Sequence, residues 1–259
     1  MRPKRYLAQL GVATAVAAGL ALALQGVVLA AVTYNAGSVG NDVSYPNCGA
    51  LPTGSAFGIV GVTGGRAFSK NSCLEAEFTW ASDLDSTPGP ALYMNLNAPV
   101  GRTARNGLTG PKGNCTRRDK ACIAYNYGYN AAAAAYAYAA DTGASSTSWW
   151  LDVETSNSWS SNPSLNQDTI SGAVDWFATE LTSPTVVGFY STPSQWASIT
   201  GSPTWSPSGS AEFPIWQAGA LSKSNAKAIC ASATAGFAGG SPELVQYVSN
   251  NFDYDYACS

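Results

Sequence analysis

The run Trp149-Trp150-Leu151-Asp152-Val153-Glu154 holds the residues best suited to acid–base chemistry. Its apolar and aromatic content predicts a strand, and side chains on a strand alternate between two faces. Trp149, Leu151 and Val153 then face one way, and Trp150, Asp152 and Glu154 the other. Two carboxylates so placed stand roughly 6–7 Å apart at Cβ by strand rise. Like charges that close push one pKa upward in a dry setting, and Trp150 beside them would help exclude water. A carboxylic acid kept protonated near neutral pH can serve as a general acid. The polar Thr155-Ser156-Asn157 ends the strand and leaves Glu154 at its C-terminal edge. Asp42-Val43-Ser44 closes another strand-like run, and Asp253 and Asp255 follow Leu244-Val245-Gln246-Tyr247. If the strands are parallel, these three separated ends bring their acids to one rim, where barrel enzymes build their sites. Acids at strand ends also serve as helix caps, which is the reading for an exported structural or interaction protein.

Composition narrows the chemistry further. No histidine occurs in 259 residues, which excludes Ser-His-Asp and Cys-His nucleophiles and His-ligated zinc, haem and non-haem iron. Proton transfer near neutral pH then falls to carboxylates, Tyr or Lys. Neither G-x-x-x-x-G-K-[ST] nor G-x-G-x-x-G occurs, so nucleotide chemistry has no support and no cofactor is expected. Thirteen basic and 16 acidic residues give a net charge of -3, which argues against a nucleic-acid partner. Eight Trp, 13 Tyr and eight Phe supply more apolar area than disordered chains carry.

Arg2, Lys4 and Arg5 precede an apolar run from Tyr6 to Leu24 and small residues around Val28-Leu29-Ala30-Ala31. Residues 1–31 therefore read as an export signal, with an uncleaved membrane anchor as the alternative for so long a run. Residues 32–259 would form one mature domain, a monomer secreted to the extracellular space or the cell wall, with no other membrane association. Six cysteines remain there: Cys48, Cys73, Cys115, Cys122, Cys230 and Cys258. An even count in an exported chain predicts disulfides, and the absence of C-x-x-C argues against a metal site. Sequence order leaves several pairings open; the nearest-neighbour set, Cys48–Cys73, Cys115–Cys122 and Cys230–Cys258, is the expectation. Asn114-Cys115-Thr116 fits a glycosylation sequon, and Arg117-Arg118 reads most simply as a solvated turn.

The elements that must position the acids alternate along the chain. Candidate strands are Val39–Ser44, Ala56–Val62, Ala91–Asn97, Ser148–Glu154, Thr185–Tyr190, Phe213–Ala218 and Leu244–Val248. Helix-like segments are Cys73–Ser82, Ala121–Ala140, Gln167–Leu181, Pro193–Ile199 and Lys223–Ala231. Such alternation predicts an α/β chain of βα units, closed into a single irregular (β/α) TIM-like barrel. Gly201–Ser210 reads as one long loop within that domain. In Ala91–Asn97, Leu92, Met94 and Leu96 would pack on helices, while Tyr93, Asn95 and Asn97 would point into the barrel. Trp80 and Trp176 read as core, Trp150 and Trp216 as core or cleft, and Trp159 and Trp205 as candidates for ligand contact.

Taken in order, several short pieces resemble family 25 glycoside hydrolases. They are Asp42-Val43-Ser44-Tyr45, Leu151-Asp152-Val153-Glu154, Gly188-Phe189-Tyr190-Ser191-Thr192 with Trp196, and Pro214-Ile215-Trp216-Gln217-Ala218. Val245-Gln246-Tyr247 with Asp253 or Asp255 completes the set. The family consists of lysozymes of the N-acetylmuramidase type on an irregular (β/α) barrel. The resemblance implies that Glu154 is the general acid/base. Asp152 would support developing positive charge or orient the substrate's own N-acetyl group. Asp42 and one of Asp253 or Asp255 would line the cleft, with Tyr190 and Trp216 as sugar-stacking or cleft residues. The partner would be a polysaccharide, peptidoglycan or a related glycan. This chain departs from the family at Tyr45-Pro46-Asn47-Cys48-Gly49, where an aromatic-Gln-Gly turn is usual, and at Val245, where Trp is usual. Gly61-Val62-Thr63-Gly64-Gly65-Arg66 lacks the charge expected at the second strand's end, and the Ala/Tyr-rich stretch Tyr125–Tyr138 is foreign to the family. These departures keep a second reading open, a catalytically inactive glycan-binding barrel at the cell surface.

Overall fold

The computed structural model describes residues 34–181, 185–207, 213–232 and 234–258. The export signal expected over residues 1–31 lies outside the described residues. The apolar runs form strands β1 (Val39–Val43), β2 (Gly58–Gly61) and β3 (Ala91–Asn95). A two-residue hairpin, β4 (Thr109–Gly110) and β5 (Gly113–Asn114), precedes β6 (Ser148–Asp152), β7 (Val186–Ser191) and β8 (Ile215–Ala220). The chain ends in β9 (Pro242–Ser249) and β10 (Phe252–Ala257). Eight of these strands close a barrel in the order β1-β10-β9-β8-β7-β6-β3-β2. Helices α1 (Leu74–Ser82), α2 (Lys120–Asp141), α3 (Pro163–Glu180), α4 (Pro193–Thr200) and α5 (Lys223–Cys230) connect the strands. The expected irregular (β/α) barrel is therefore the fold. Among the described residues, no helix is long and apolar enough to cross a membrane.

One strand runs against the others. Phe252-Asp253-Tyr254-Asp255-Tyr256 alternates with period two and forms β10, which pairs antiparallel with both β9 and β1. Asn250 and Asn251, at φ 51° and 64°, make the two-residue turn before it; both central residues of such a turn need the left-handed region, which Asn tolerates. The third strand end thus differs from the all-parallel expectation: the chain reverses at Asn250-Asn251, and its last two acids sit on a returning strand.

The two faces of the strands pack as their alternation dictates. Leu92, Met94, Leu96, Trp149, Leu151 and Val153 are buried under the helices, against Tyr127, Ala131, Ile170, Ala173 and Phe177 of α2 and α3. The Ala/Tyr-rich α2 lies so close to α3 that a Cβ on Gly128 would fall 1.8 Å from the Thr169 carbonyl oxygen. Inside the barrel, Trp150 and Trp216 meet edge to face at 5.8 Å, above Phe57, Ile59 and Leu244. Gly188 makes that filling possible, since a Cβ there would lie 2.3 Å from the Trp150 ring.

Helix starts follow local capping chemistry: the Asp119, Asn162 and Thr192 side chains each accept a hydrogen bond from a backbone N–H of the next turn. All three expected disulfides are present, Cys48–Cys73, Cys115–Cys122 and Cys230–Cys258. Trp176 is buried and Trp80 half-buried against the same core, as expected. Trp159 and Trp205 depart from the expectation of ligand contact. Both are half-buried against the outer core, where Trp159 Nε1 donates to the Glu154 carbonyl (2.7 Å) and the Trp205 carbonyl accepts from Trp196 Nε1 (3.1 Å).

Candidate active site

Register along the rim brings the polar residues together. Asn95, Asp152, Tyr190 and Trp216 stand side by side on the parallel strands β3, β6, β7 and β8. Across the closing seam Asp42 of β1 faces Asp253 of β10. With Glu154, Tyr93 and Gln246 they line a cleft of about 380 Å³, and no lysine or arginine joins them. Asp255 does not line it. Of the two late acids only Asp253 reaches the cleft; Asp255 is fully buried beneath, because the returning strand carries its later residues inward.

Glu154 lies two residues beyond Asp152, half-buried at the mouth. Gln195, at the third position of α4, accepts from the Thr155 amide (2.6 Å) and hydroxyl (2.8 Å) through its carbonyl oxygen. Its NH2 is left to donate to the Glu154 carboxylate. Burial raises the Glu154 pKa above the ordinary carboxylate value; the Gln195 hydrogen bond opposes this and the Asp253 charge adds to it.

Asp152 is buried deeper, and Asn95 Nδ2 donates to its Oδ2. The Asn95 amide is oriented in turn by Thr63, whose hydroxyl donates to Asn95 Oδ1 (2.7 Å) and accepts from Asn95 N (2.9 Å). Asp152 Oδ1 is buried with no hydrogen-bond partner among the described residues. Burial, and then the Glu154 charge, hold the Asp152 pKa well above the usual range against the Asn95 hydrogen bond. Asn97, expected beside Asn95 on the inner face, instead turns to the surrounding loops: its carbonyl oxygen accepts from Ala67 N (3.0 Å) and its NH2 donates to the Tyr127 hydroxyl (2.8 Å).

On the opposite wall Tyr190 donates to Gln246 Oε1 (2.8 Å), and Gln246 Nε2 donates to Asp42 Oδ2 (2.8 Å). Asp42 is pushed up to about 8, first by burial and then by the Asp253 charge, against the Gln246 hydrogen bond. Below it Trp216 Nε1 donates to Asp255 Oδ1 (2.7 Å). Burial and the Asp42 charge raise Asp255 well above the usual range, and burial raises Asp253. The cleft is thus a cluster of carboxyl groups that hold protons at pH values where free carboxylates have lost them.

Among the described residues, the one set of cysteine and carboxylate ligand atoms all within 4.8 Å of one another belongs to Cys48, Cys73 and Glu77, and both thiols are spent in a disulfide. The sequence pointed to the acids and aromatics of the cleft and, by alternation, to Asn95. It did not point to Thr63, Gln195 or Gln246 as orienting partners. Gln195 had one legible signal, its place one turn into a helix opened by Thr192-Pro193.

A family model described as Lys-1, lysozyme-like protein 1, matches residues 120–231. No curated protein matches the chain. Two solved structures of the modular autolysin LytC from Streptococcus pneumoniae are similar at a TM-score of 0.53, one in complex with a synthetic peptidoglycan ligand (12% identity) and one free (13% identity). Each comparison covers 84% of this chain and 46% of that one, so the present chain spans about half of LytC. A third, GHIP, a glycosyl hydrolase 25 of Streptococcus pneumoniae, aligns over 85% of this chain and 86% of its own at 12% identity and a TM-score of 0.48. Residues 120–231 are thus similar to a lysozyme-like family model, and the likeness to LytC is one of fold.

Proposed function

We propose that this lysozyme-like barrel is a secreted glycoside hydrolase that cleaves a β-linked amino-sugar polymer, bacterial cell-wall peptidoglycan, between its sugars. One observation carries the reading. Glu154 stands half-buried at the mouth of an acidic cleft, held by Gln195 and with its pKa raised by burial, two residues beyond Asp152 on the same strand face. Such a group can deliver a proton to a glycosidic oxygen as the C–O bond breaks, then take one from the incoming water.

Asp152 lies beneath the breaking bond. Its buried, unpartnered Oδ1 is the atom available to the developing positive charge or to the substrate's acetamido N–H. In the latter case the acetamido oxygen attacks the anomeric carbon in place of a protein nucleophile. The Thr63–Asn95 pair keeps the other carboxyl oxygen fixed while this occurs. Asp42 and Asp253 take sugar hydroxyls from the far wall, and Tyr190 offers a ring for stacking, backed by the buried Trp216. Peptidoglycan as substrate is supported by the lysozyme-like match and by the ligand held by one structural neighbour. Export through residues 1–31 and the three disulfides fit an enzyme that works outside the cell.

The test is reducing-end release from purified peptidoglycan and chitin oligomers, with Glu154→Gln beside the parent. Release by the parent alone is the expected result. Binding of the polymer by both proteins without release by either would turn the assignment to the inactive glycan-binding barrel.

A further inference from the structure

Apart from the cleft, a second cavity gathers charge of the opposite sign. Six basic residues and one acid fall between Arg102 and Lys120, whereas the rest of residues 32–259 holds four basic residues against 15 acids. Arg102, Arg105, Arg117 and Lys120 line a cavity of about 390 Å³ together with the apolar Leu108 and Ile123. The four cations come from three separate pieces of chain. Arg102 and Arg105 stand on the 3-10 helix Gly101–Gly107, Arg117 in the loop closed by Cys115–Cys122, and Lys120 on the first turn of α2.

Among the described residues, no acidic side chain pairs with any of the four. The acid beside them, Asp119, is occupied as a helix cap, accepting from Cys122 N at 3.0 Å. Their position is also electrostatically unfavourable for the isolated protein. The start of a helix carries partial positive charge; Asp119 answers it at the cap of α2, but Lys120 and Arg117-Arg118 add cations at the same end and the first turn holds no acid. Arginine forks match carboxylate and phosphate oxygens, and the positive helix end adds to the attraction.

The excursion that carries this cavity leaves from the catalytic rim. Asn95 of β3 lies in the cleft, Asn97 bonds the Tyr127 hydroxyl of α2, Ala98 N donates to the Ser158 carbonyl (2.9 Å), and the 3-10 helix starts at Gly101. We infer that the Arg102–Lys120 cavity is an anion-binding site, taking carboxylate or phosphate groups borne by the same wall polymer whose glycan strand enters the cleft. The identity of that polymer rests on the proposed function; the anion site does not.

The experiment measures retention, and it uses the mature Glu154→Gln protein so that hydrolysis plays no part. The protein is co-sedimented with purified cell-wall sacculi in four forms: intact, stripped of covalently attached phosphate polymer, with the stem-peptide carboxylates amidated, and with both treatments combined. Intact sacculi should retain it at low salt and release it as salt rises. Combining Arg102→Glu, Arg105→Glu and Arg117→Glu should lower retention by roughly tenfold or more, as expected when several counterion-releasing contacts are lost. These are exposed side chains, and an unchanged melting temperature would show that the variant is folded. Loss of retention on removing phosphate polymer assigns the ligand to phosphate, and loss on amidating the stem-peptide carboxylates assigns it to carboxylate. Full retention by the folded triple variant, or undiminished retention on sacculi lacking both groups, would overturn the proposal. Failure of the glycosidase reading would show separately, as absent reducing-end release by the parent.

Discussion

Two acid pairs with the same spacing meet opposite fates in this barrel. Asp152-x-Glu154 leaves β6, and Asp253-x-Asp255 lies on β10; alternation turns both pairs inward. The parallel β6 runs toward the rim, so its later acid, Glu154, emerges at the mouth beside Gln195. The antiparallel β10 runs away from it, so its later acid, Asp255, sinks to the floor against Trp216, and the earlier Asp253 faces the cleft. Spacing chooses the face, but strand direction chooses the depth. Depth in turn decides whether a carboxyl group can reach a substrate or only hold a proton.

The sharpest way to break this comparison is Glu154→Gln. Glycan hydrolysis should fall by about 10³-fold, within the usual span for losing a general acid, while the melting temperature stays put. A loss of only a few-fold would mean the mouth acid is no more chemical than the floor acid. Next in size, removing Cys230–Cys258 by paired alanine substitution should cost about 3 kcal/mol, since the bridge closes a loop of sequence separation 28. Cys258 follows β10, three residues past Asp255, so that change should show in thermal melts more than in the pH profile of hydrolysis.

Asp255→Asn sharpens the contrast from the other side. Asp42 and Asp255 have folded pKa values raised above their unfolded ones, so the folded state binds more protons once pH exceeds about 4. Their contribution to stability is complete below that pH and is lost as pH rises through the folded values, about 8 for Asp42. Replacing Asp255 with Asn should flatten the fall in stability between acid and mildly alkaline pH. Denaturant titrations across that range measure it, and hydrolysis at acid pH should suffer far less than in Glu154→Gln. The smallest effects should separate two neighbours of Glu154. Gln195→Ala removes a hydrogen bond to the charged form and should move the alkaline limb of kcat/KM upward. Asp253→Asn removes a repelling charge and should move it downward.

Much of this was legible in the sequence because it rests on local periodicity. The two-residue alternation in β3 and β6 placed Leu92, Met94, Trp149 and Leu151 under the helices and Asn95, Asp152 and Glu154 inside. The irregular barrel and its helices followed from similar short-range signals, whereas the cysteine pairing was left open by the sequence and is settled by which cysteines the fold brings together. β10 was missed as a strand because acids at alternate positions obscure its apolar pattern, and its direction depends on a turn of two asparagines. Thr63, Gln195 and Gln246 were hidden for another reason. Each orients a carboxylate or its partner from a different strand or helix, and amides and hydroxyls carry no spacing rule that announces a partner far along the chain. Trp159 and Trp205 were misjudged since Ser- and Pro-rich surroundings do not reveal a ring folded back onto the core.

The seam between β1 and β10 also sets a timetable. The hydrogen bond from Gln246 to Asp42 spans 204 positions, and Asp253 meets Asp42 only when the last strand slides between β9 and β1. Contacts so distant along the chain form late, after local helices and neighbouring strand pairs. Asp152 and Glu154 therefore have no finished cleft around them until β10 has taken its place between β9 and β1.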